Sequence, residues 1–573
     1  MTAPERAVET PSAEPAPWGR ATRLAAIFVL GLVVAGLFTI RTIDRLSLKY
    51  YALAYDQFAR IEGRGLVLLV PFALLAWWWA NGAHGTEPEW WTRLTRRASP
   101  GMLALAAGIV VFAGTSLVFH HFALVDDEYA GWFQAVLFAH GKAHAAVSPE
   151  WCRWIRPMTP TSIAATRDCL WHLDILPVYS LVRGAFMAIH ADVLFGPVVA
   201  ALSVLLVAAI ARRAWPDQPR RVWLAAAIFA TSTQLLFMAM TSFSMPVHLL
   251  LDLVWLWLYV TDAPWTLALL PWVGVLAMGV HTPLEHLLFV PPFFVRMLWR
   301  KRFGWLAYMG AVYLAGCAFW LNQMKARSAV AIGMKSASTV ARAGTSYFAR
   351  YIQLPSQIGE ITTITHWSVL ASWQTPVALL CAIAAIVAWR RQDTFTRDVA
   401  ASLLFAIGVR ALMPLSQGAG WGFRLVHDEL GCLALVAACG VEALTRAIGG
   451  RRTAQLVAVS FATTIVAQLP MRATDVRSII APYEHAAAWM ESRPQPVVVY
   501  PAKAILWGRL FVRNDPLQRR GPRIIDGDEL PAGGLAELQR NYPGQVLVVQ
   551  PSDLLRFGLT PAPIRAGPFL ITE

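Results

Sequence analysis

Three acidic residues stand together where a long apolar stretch of the sequence ends. Asp126, Asp127 and Glu128 follow shortly after the apolar residues 101–119. An ionised carboxylate at the centre of a bilayer costs about 2.5–3.5 kcal/mol, so the acids belong at the interface or in a wet cavity. A carboxylate held there beside a substrate can act as a general base on a hydroxyl or amine. The alternative is that Asp126 and Asp127 only cap the helix that follows.

Residues that could hold an anionic substrate follow the acids along the chain. They are Tyr129 and Trp132 at helical spacing, Lys142, Arg153, Arg156 and Arg183 in the same loop, and Arg424 and His427 within GWGFRLVHDE. A guanidinium suits phosphate because its planar fork binds two oxygens at once. These residues therefore predict a phosphate-binding site, with snorkelling of Arg424 toward lipid phosphates as the alternative.

The composition predicts an all-α polytopic membrane protein. Of 573 residues, 57% are hydrophobic and only 15% are charged. Apolar stretches of about 20 residues, long enough to cross a bilayer, give about 13 transmembrane helices. The predicted spans are 24–40, 65–80, 101–119, 192–210, 222–240, 246–261, 265–281, 285–299, 304–321, 374–390, 398–413, 428–446 and 453–469. The net charge of +14 is typical of cytoplasmic loops on anionic lipid and predicts no nucleic-acid partner.

Basic clusters in alternate loops set the predicted orientation. Five clusters lie on one side if the N-terminus is cytoplasmic, and only loop 41–64 disagrees. The predicted domains are a disordered cytoplasmic N-terminus (1–23), two N-terminal helices (24–100), the main transmembrane domain (101–469) with extracytoplasmic loops 120–191 and 322–373, and an extracytoplasmic α/β domain (470–573). Short strands at 496–500, 522–526 and 545–549, with helices at 483–490 and 535–540, predict this last domain.

Several smaller features carry their own predictions. The helix after the acids is expected to lie along the membrane surface with its aromatic residues toward headgroups. The basic loop 322–373 is a candidate lid, or a solvated loop on headgroups. Cys152 and Cys169 could form a disulfide in an oxidising compartment. His281 and Glu285 could share a helix face for a metal, but a third ligand is missing, so no metal or other cofactor is expected.

The acidic motif also resembles a known group of enzymes. A large outer loop that opens with Asp127-Glu128, followed by Tyr129 and an aromatic helix, resembles the GT-C superfamily of polytopic membrane glycosyltransferases. These include protein O-mannosyltransferases, aminoarabinose transferases and bacterial relatives. The resemblance implies a polyprenyl-phosphate sugar as donor, inverting transfer, and Asp127 as the base. Asp126 is an additional acid that could assist Asp127 or replace it.

The resemblance implies a bacterial inner-membrane enzyme that works with membrane lipids on an envelope glycan, lipid or protein acceptor. An O-antigen ligase or polymerase is an alternative, although such enzymes rely on Arg and His rather than on a pair of acids at a helix end. A lipid or sugar flippase is another, but we find no half-sequence repeats, and the centres of the spans carry almost no charge except Asp252.

Overall fold

The structure is a computed structural model that describes residues 16–50, 53–80, 85–97, 99–173, 176–330, 357–413 and 417–563. Helices dominate the described chain. They are α1 (Ala16–Arg45), α2 (Leu53–Val67), α3 (Val70–Trp79), α4 (Glu89–Arg97), α5 (Pro100–Leu117), α6 (Asp126–Ala139), α7 (Ile155–Met158), α8 (Val178–Ala188), α9 (Phe195–Ala214), α10 (Pro219–Ala230), α11 (Thr233–Ala239), α12 (Met245–Thr261), α13 (Pro264–Met278), α14 (Pro283–Phe289), α15 (Pro291–Trp299), α16 (Phe303–Val330), α17 (Gln357–Ser372), α18 (Pro376–Val387), α19 (Thr394–Ala411), α20 (Leu430–Ile448), α21 (Gly450–Thr463), α22 (Leu469–Glu491), α23 (Gly534–Asn541) and α24 (Pro551–Leu555).

The helical body is that of a multi-pass membrane protein, as the sequence predicted. Six of the described helices are long and apolar enough to cross a membrane, or up to eight if two bent pairs each count as one span. All thirteen predicted spans fall on helices, but some are shorter or broken. The stretch 285–299, for example, divides into α14 and α15, where Pro291 begins the second helix because proline cannot continue a helical hydrogen-bond ladder.

The centre of the body is α20, which is buried around its whole circumference. It packs against α1, α10, α18 and α19. A helix that is apolar on every side has to be enclosed by other helices or by lipid. Because α20 directly follows residues 424–429 in the chain, this enclosed helix fixes the position of the segment that carries Arg424.

Loop 322–373 is largely helical where the structure describes it. Helix α16 continues to Val330, and α17 covers the end of the segment with buried residues that pack against α1 and α2. The prediction of an open loop is wrong for residues 357–372, because α17 has protein on several sides. Most of the basic residues of the candidate lid lie in 331–356, outside the described residues.

Helix α6 does not lie on the membrane surface, which corrects the sequence prediction. Its aromatic residues Tyr129 and Phe133 are buried in a core that also contains Trp171 and the strand residue Val499. The helical periodicity was identified correctly, but the apolar face is covered by the outer loop and the C-terminal region rather than by lipid.

Two small sheets lie beside α6. In the outer loop, β1 (Ala145–Ala146), β3 (Leu170–Leu173) and β2 (Ile163–Ala165) form an antiparallel sheet in that order. The same loop joins Cys152 to Cys169, with Cα atoms 5.4 Å apart, so the predicted disulfide is confirmed.

The C-terminal region is the predicted α/β unit. Its strands β5 (Arg523–Asp526), β4 (Val497–Tyr500) and β6 (Val546–Val548) pair in parallel in that order, close to the predicted strands. The predicted boundary at residue 470 falls inside a helix, since α21 and α22 join through residues 464–468 into one 42-residue helix, Gly450–Glu491. The sheet therefore begins only after Glu491.

Candidate active site

Asp127 and Arg424 meet at the start of α6, although 297 residues separate them in sequence. Nη1 of Arg424 donates to Oδ2 of Asp127 across 2.9 Å, and both side chains are only partly exposed. Burial would raise the pKa of Asp127, but Arg424 and His281 outweigh it and hold that pKa below its usual value. The sequence predicts that these two residues face one cavity, and the structure brings them into direct contact.

Asp126 adjoins this ion pair and has a different environment. Its Oδ2 accepts a hydrogen bond from the Ser162 hydroxyl at 3.0 Å, and its Oδ1 accepts one from the backbone N–H of Asp127. Burial, together with repulsion by Asp127, raises the pKa of Asp126 to about 6. The two neighbouring carboxyl groups therefore have pKa values that move apart, an arrangement typical of acid–base sites.

Glu128 caps α6 and does not face the other two acids. It is 1% exposed, and its Oε2 accepts a hydrogen bond from the backbone N–H of Val125 at 3.1 Å. A carboxylate that satisfies the free N–H groups of a first helical turn has a structural role. Its predicted catalytic role finds no support in this geometry, whereas the capping interpretation applies to Glu128 rather than to Asp127.

Glu128→Gln should flatten the pH dependence of thermal stability. Burial raises the pKa of Glu128 from 4.5 to about 7, against hydrogen bonds from the Val125 and Leu124 backbone. A carboxyl with a raised pKa stabilises the fold while it is protonated, so this contribution is lost as the pH rises through the folded-state pKa. We expect the Tm of the unmodified protein to fall relative to that of the variant between about pH 5 and 8. Parallel melting curves across this range would contradict the assignment.

The glycines around Arg424 hold the guanidinium in place. Gly418 and Gly422 have φ values of +67° and +87°, where a side chain is strained. A Cβ at Gly418 would lie 3.0 Å from Nη2 of Arg424. The side chain of Gln417 accepts a hydrogen bond from the Arg424 backbone N–H at 2.9 Å. The predicted close packing of this glycine-rich segment is therefore directed at Arg424 itself.

The other predicted arginines do not join the acids. Arg183 is buried in an ion pair with Asp192, at 2.9 Å, and a hydrogen bond to Tyr179. Arg153 pairs with Glu537, and Arg156 pairs with Glu529 at 3.2 Å. These contacts tie the outer loop together and to the C-terminal region, so all three arginines are stabilising residues in this structure. Spacing alone could not show that acids more than 370 residues away neutralise two of them.

Tyr129, Trp132 and Lys142 have separate positions. The hydroxyl of Tyr129 donates to the Asn514 carbonyl at 2.7 Å, which fixes it within the core. Trp132 is partly exposed in a cleft of about 670 Å³ that Arg513 also lines, so it remains available to a ligand. Lys142 is exposed in the turn beyond the far end of α6, about 20 Å along the helix from the acids.

His427 lies beside Arg424 but is fully buried. Its Nδ1 is 3.4 Å from Nε2 of Gln234, and it lines a small cavity with Arg424, His281 and Glu285. Glu285 pairs with Arg410 at 3.6 Å and with the Thr282 hydroxyl. The sequence did not identify Ser162, Gln234 or Gln417 as site residues, since none belongs to a motif and each is placed by tertiary structure.

Comparisons with known proteins give structural similarities only. No protein-family model and no curated protein matches the sequence. The chain is similar to ArnT from Cupriavidus metallidurans bound to undecaprenyl phosphate, with 14% identity and a TM-score of 0.45 over 79% of this chain and 90% of that one. For apo ArnT the values are 10%, 0.47, 78% and 88%.

A third similar structure is the Archaeoglobus fulgidus oligosaccharyltransferase tethered with an acceptor peptide. The identity is 13% and the TM-score 0.39, over 74% of this chain and 63% of that one. These similarities agree with the predicted resemblance to GT-C glycosyltransferases. They are too distant to assign an activity, donor or acceptor, which the residues of this chain have to support.

Proposed function

We propose that the protein is a membrane glycosyltransferase that uses a polyprenyl-phosphate sugar. The observation that carries this proposal is the 2.9 Å contact between Asp127 and Arg424. The sequence predicts the first as a base and the second as a phosphate ligand, each from its own motif. Their contact supplies both functions at one position beside the helical body.

Arg424 links donor binding to activation of the base. Its fork geometry suits a phosphate oxygen as well as a carboxylate. A donor phosphate that takes over Nη1 would release Asp127 from the interaction that lowers its pKa. The proton affinity of Asp127 would then rise when the donor is in place, and a base is more effective when its pKa is near the working pH.

The reaction follows from these two roles. The acceptor hydroxyl or amine attacks the anomeric carbon of the sugar and loses its proton to Asp127. The bond between that carbon and the phosphate oxygen breaks, and polyprenyl phosphate leaves with the electron pair, its charge held by Arg424. Attack from the side opposite the leaving group inverts the anomeric carbon. Asp126, held by Ser162, is the positioning residue that raises the proton affinity of its neighbour.

We place this chemistry at the extracytoplasmic side of a bacterial inner membrane. The support is the alternation of basic clusters along the sequence. The acceptor would be an envelope glycan, lipid or protein, and the cleft that contains Trp132 is the largest open space beside α6 among the described residues. Aromatic rings such as that of Trp132 suit the apolar faces of sugars or the prenyl chain.

Arg424→Gln should weaken binding of undecaprenyl phosphate by about 10- to 100-fold, because a charge-assisted hydrogen bond contributes about 1.5–3 kcal/mol. The affinity can be measured with the detergent-purified protein by thermophoresis. Arg540→Gln, an exposed arginine at the end of α23, serves as a matched control and should bind normally. Unchanged affinity in Arg424→Gln would remove Arg424 from the donor site.

The alternatives make different predictions. A ligase or polymerase that relies on Arg and His would depend on Arg424 and tolerate loss of Asp127. A flippase would move labelled polyprenyl-phosphate sugar across a vesicle membrane without cleaving it. Assays of transfer and of translocation with the same proteoliposomes therefore distinguish the three classes.

A further inference from the structure

We propose that His248, Asp252 and Asp428 bind a divalent transition metal. One ligand atom from each residue lies within 4.8 Å of the other two, and all three residues are buried. One imidazole with two carboxylates suits Zn²⁺ or Mn²⁺ better than Mg²⁺, which prefers oxygen ligands alone. This site is separate from the Asp127–Arg424 pair, and metal binding does not depend on the proposed function.

Asp252 is held so that one oxygen is directed to His248. Trp255 Nε1 donates to the Tyr313 hydroxyl at 2.8 Å, and that hydroxyl lies 2.7 Å from Nε2 of His286. Nδ1 of His286 is then the donor to Oδ1 of Asp252, at 2.6 Å. This chain of hydrogen bonds occupies Oδ1 and leaves Oδ2 facing Nδ1 of His248, 3.0 Å away. A hydrogen-bonded partner that orients a ligating side chain is typical of metal sites.

His248 and Asp428 also have unused capacity for a ligand. Nε2 of His248 has no hydrogen-bond partner among the described residues, although the residue is only 4% exposed. Asp428 is buried beside it, and both line a cavity of about 10 Å³, the size of one small ion or water. Two neighbouring buried carboxylates repel each other, and a divalent cation between them removes that repulsion.

The metal would join two elements that the backbone leaves separate. His248 and Asp252 lie one turn apart on α12, and Asp428 lies in the short helix Arg424–Glu429. A metal bound to all three therefore fixes the segment that begins with Arg424. We assign it a positioning role for that guanidinium, and this second step rests on the proposed function.

The sequence pointed to a different pair because of spacing. It suggested His281 with Glu285 and found no third ligand. In the structure Glu285 is occupied by Arg410 and Thr282, whereas Asp428 comes from a distant segment to complete the site on α12. A sequence pattern cannot reveal a ligand set that is split between two elements 176 residues apart.

The test is metal content of the purified full-length protein. After incubation with Zn²⁺ or Mn²⁺ and desalting, mass spectrometry of the metal should find about one ion per chain, and EDTA should lower the Tm. His248→Gln and Asp428→Asn should lose the ion and the response to EDTA. Asp398→Asn, a buried carboxylate paired with Arg296 elsewhere, should retain both. A metal-free unmodified protein, or equal metal in Asp428→Asn, would overturn the site.

A second measurement separates the metal from its role. Asp428→Asn and the EDTA-treated protein should both bind undecaprenyl phosphate more weakly, and Zn²⁺ should restore the affinity only in the latter. If the ion is present but its removal leaves this affinity unchanged, the positioning role is wrong while the metal site stands. Failure of Arg424→Gln to affect the same affinity would instead contradict the proposed donor site.

Discussion

Asp127→Asn should lower sugar transfer by about 10²- to 10⁴-fold, the usual contribution of a general base. Asparagine has the same shape but cannot accept the proton that leaves the nucleophile. It also removes the carboxylate that Arg424 contacts at 2.9 Å, so donor phosphate should bind at least as tightly as before. Single-turnover transfer from polyprenyl-phosphate sugars measures the rate, and undecaprenyl phosphate affinity measures the donor site.

Asp126→Asn is the matched control for this result. Its effect on transfer should be smaller, because Asp126 is held by Ser162 and acts on Asp127 only through its charge. A rate profile of the unmodified enzyme should show a titration near pH 6, where Asp126 ionises, and the variant should lack it. The roles are reversed if Asp126→Asn is the inactive variant and Asp127→Asn retains transfer.

The pairing of Asp127 with Arg424 could be predicted from sequence because each residue carries a local clue. The first stands in a run of acids at the end of an apolar stretch. The second stands among glycines at the start of another apolar helix. The hydrophobic pattern placed both at helix ends, and the alternation of basic loops placed both ends on one side.

The surroundings of α6 could not be predicted in the same way. A helix with a row of aromatic residues has the same pattern whether it faces headgroups or protein. Here Tyr129 and Phe133 are covered by a core that includes Val499, more than 350 residues away. What covers an apolar face is decided by tertiary packing, which the local pattern does not record.

The charges of segment 41–64 show why one loop disagreed with the orientation rule. Most of them lie on α2, where Arg60 pairs with Asp56 at 2.9 Å and Arg64 pairs with Asp475 of α22. Glu62 of the same helix is buried. Positive charges that are neutralised inside the protein contribute less to orientation than charges in a free loop, so their number alone is misleading.

Arg472→Met should destabilise the folded protein severely. Arg472 is 0% exposed; Nη2 donates to Glu62 at 2.8 Å and Nη1 to the Ile61 carbonyl at 2.9 Å. Its guanidinium also lies 4.4 Å from the ring centre of Trp373. Removing one partner of a buried ion pair costs about 3–5 kcal/mol, because the other charge is left without compensation.

The double variant Glu62→Gln/Arg472→Met identifies the source of that loss. If the uncompensated Glu62 charge is responsible, neutralising it should recover a large part of the stability, since buried ion pairs replaced as a whole are often tolerated. Glu62 also accepts hydrogen bonds from Trp373, at 2.6 Å, and from Ser372, and glutamine can still accept them through its carbonyl oxygen. Thermal melts of the single and double variants measure the difference. A double variant that is no more stable than Arg472→Met would show that packing against Trp373, rather than charge pairing, holds α2 to α22.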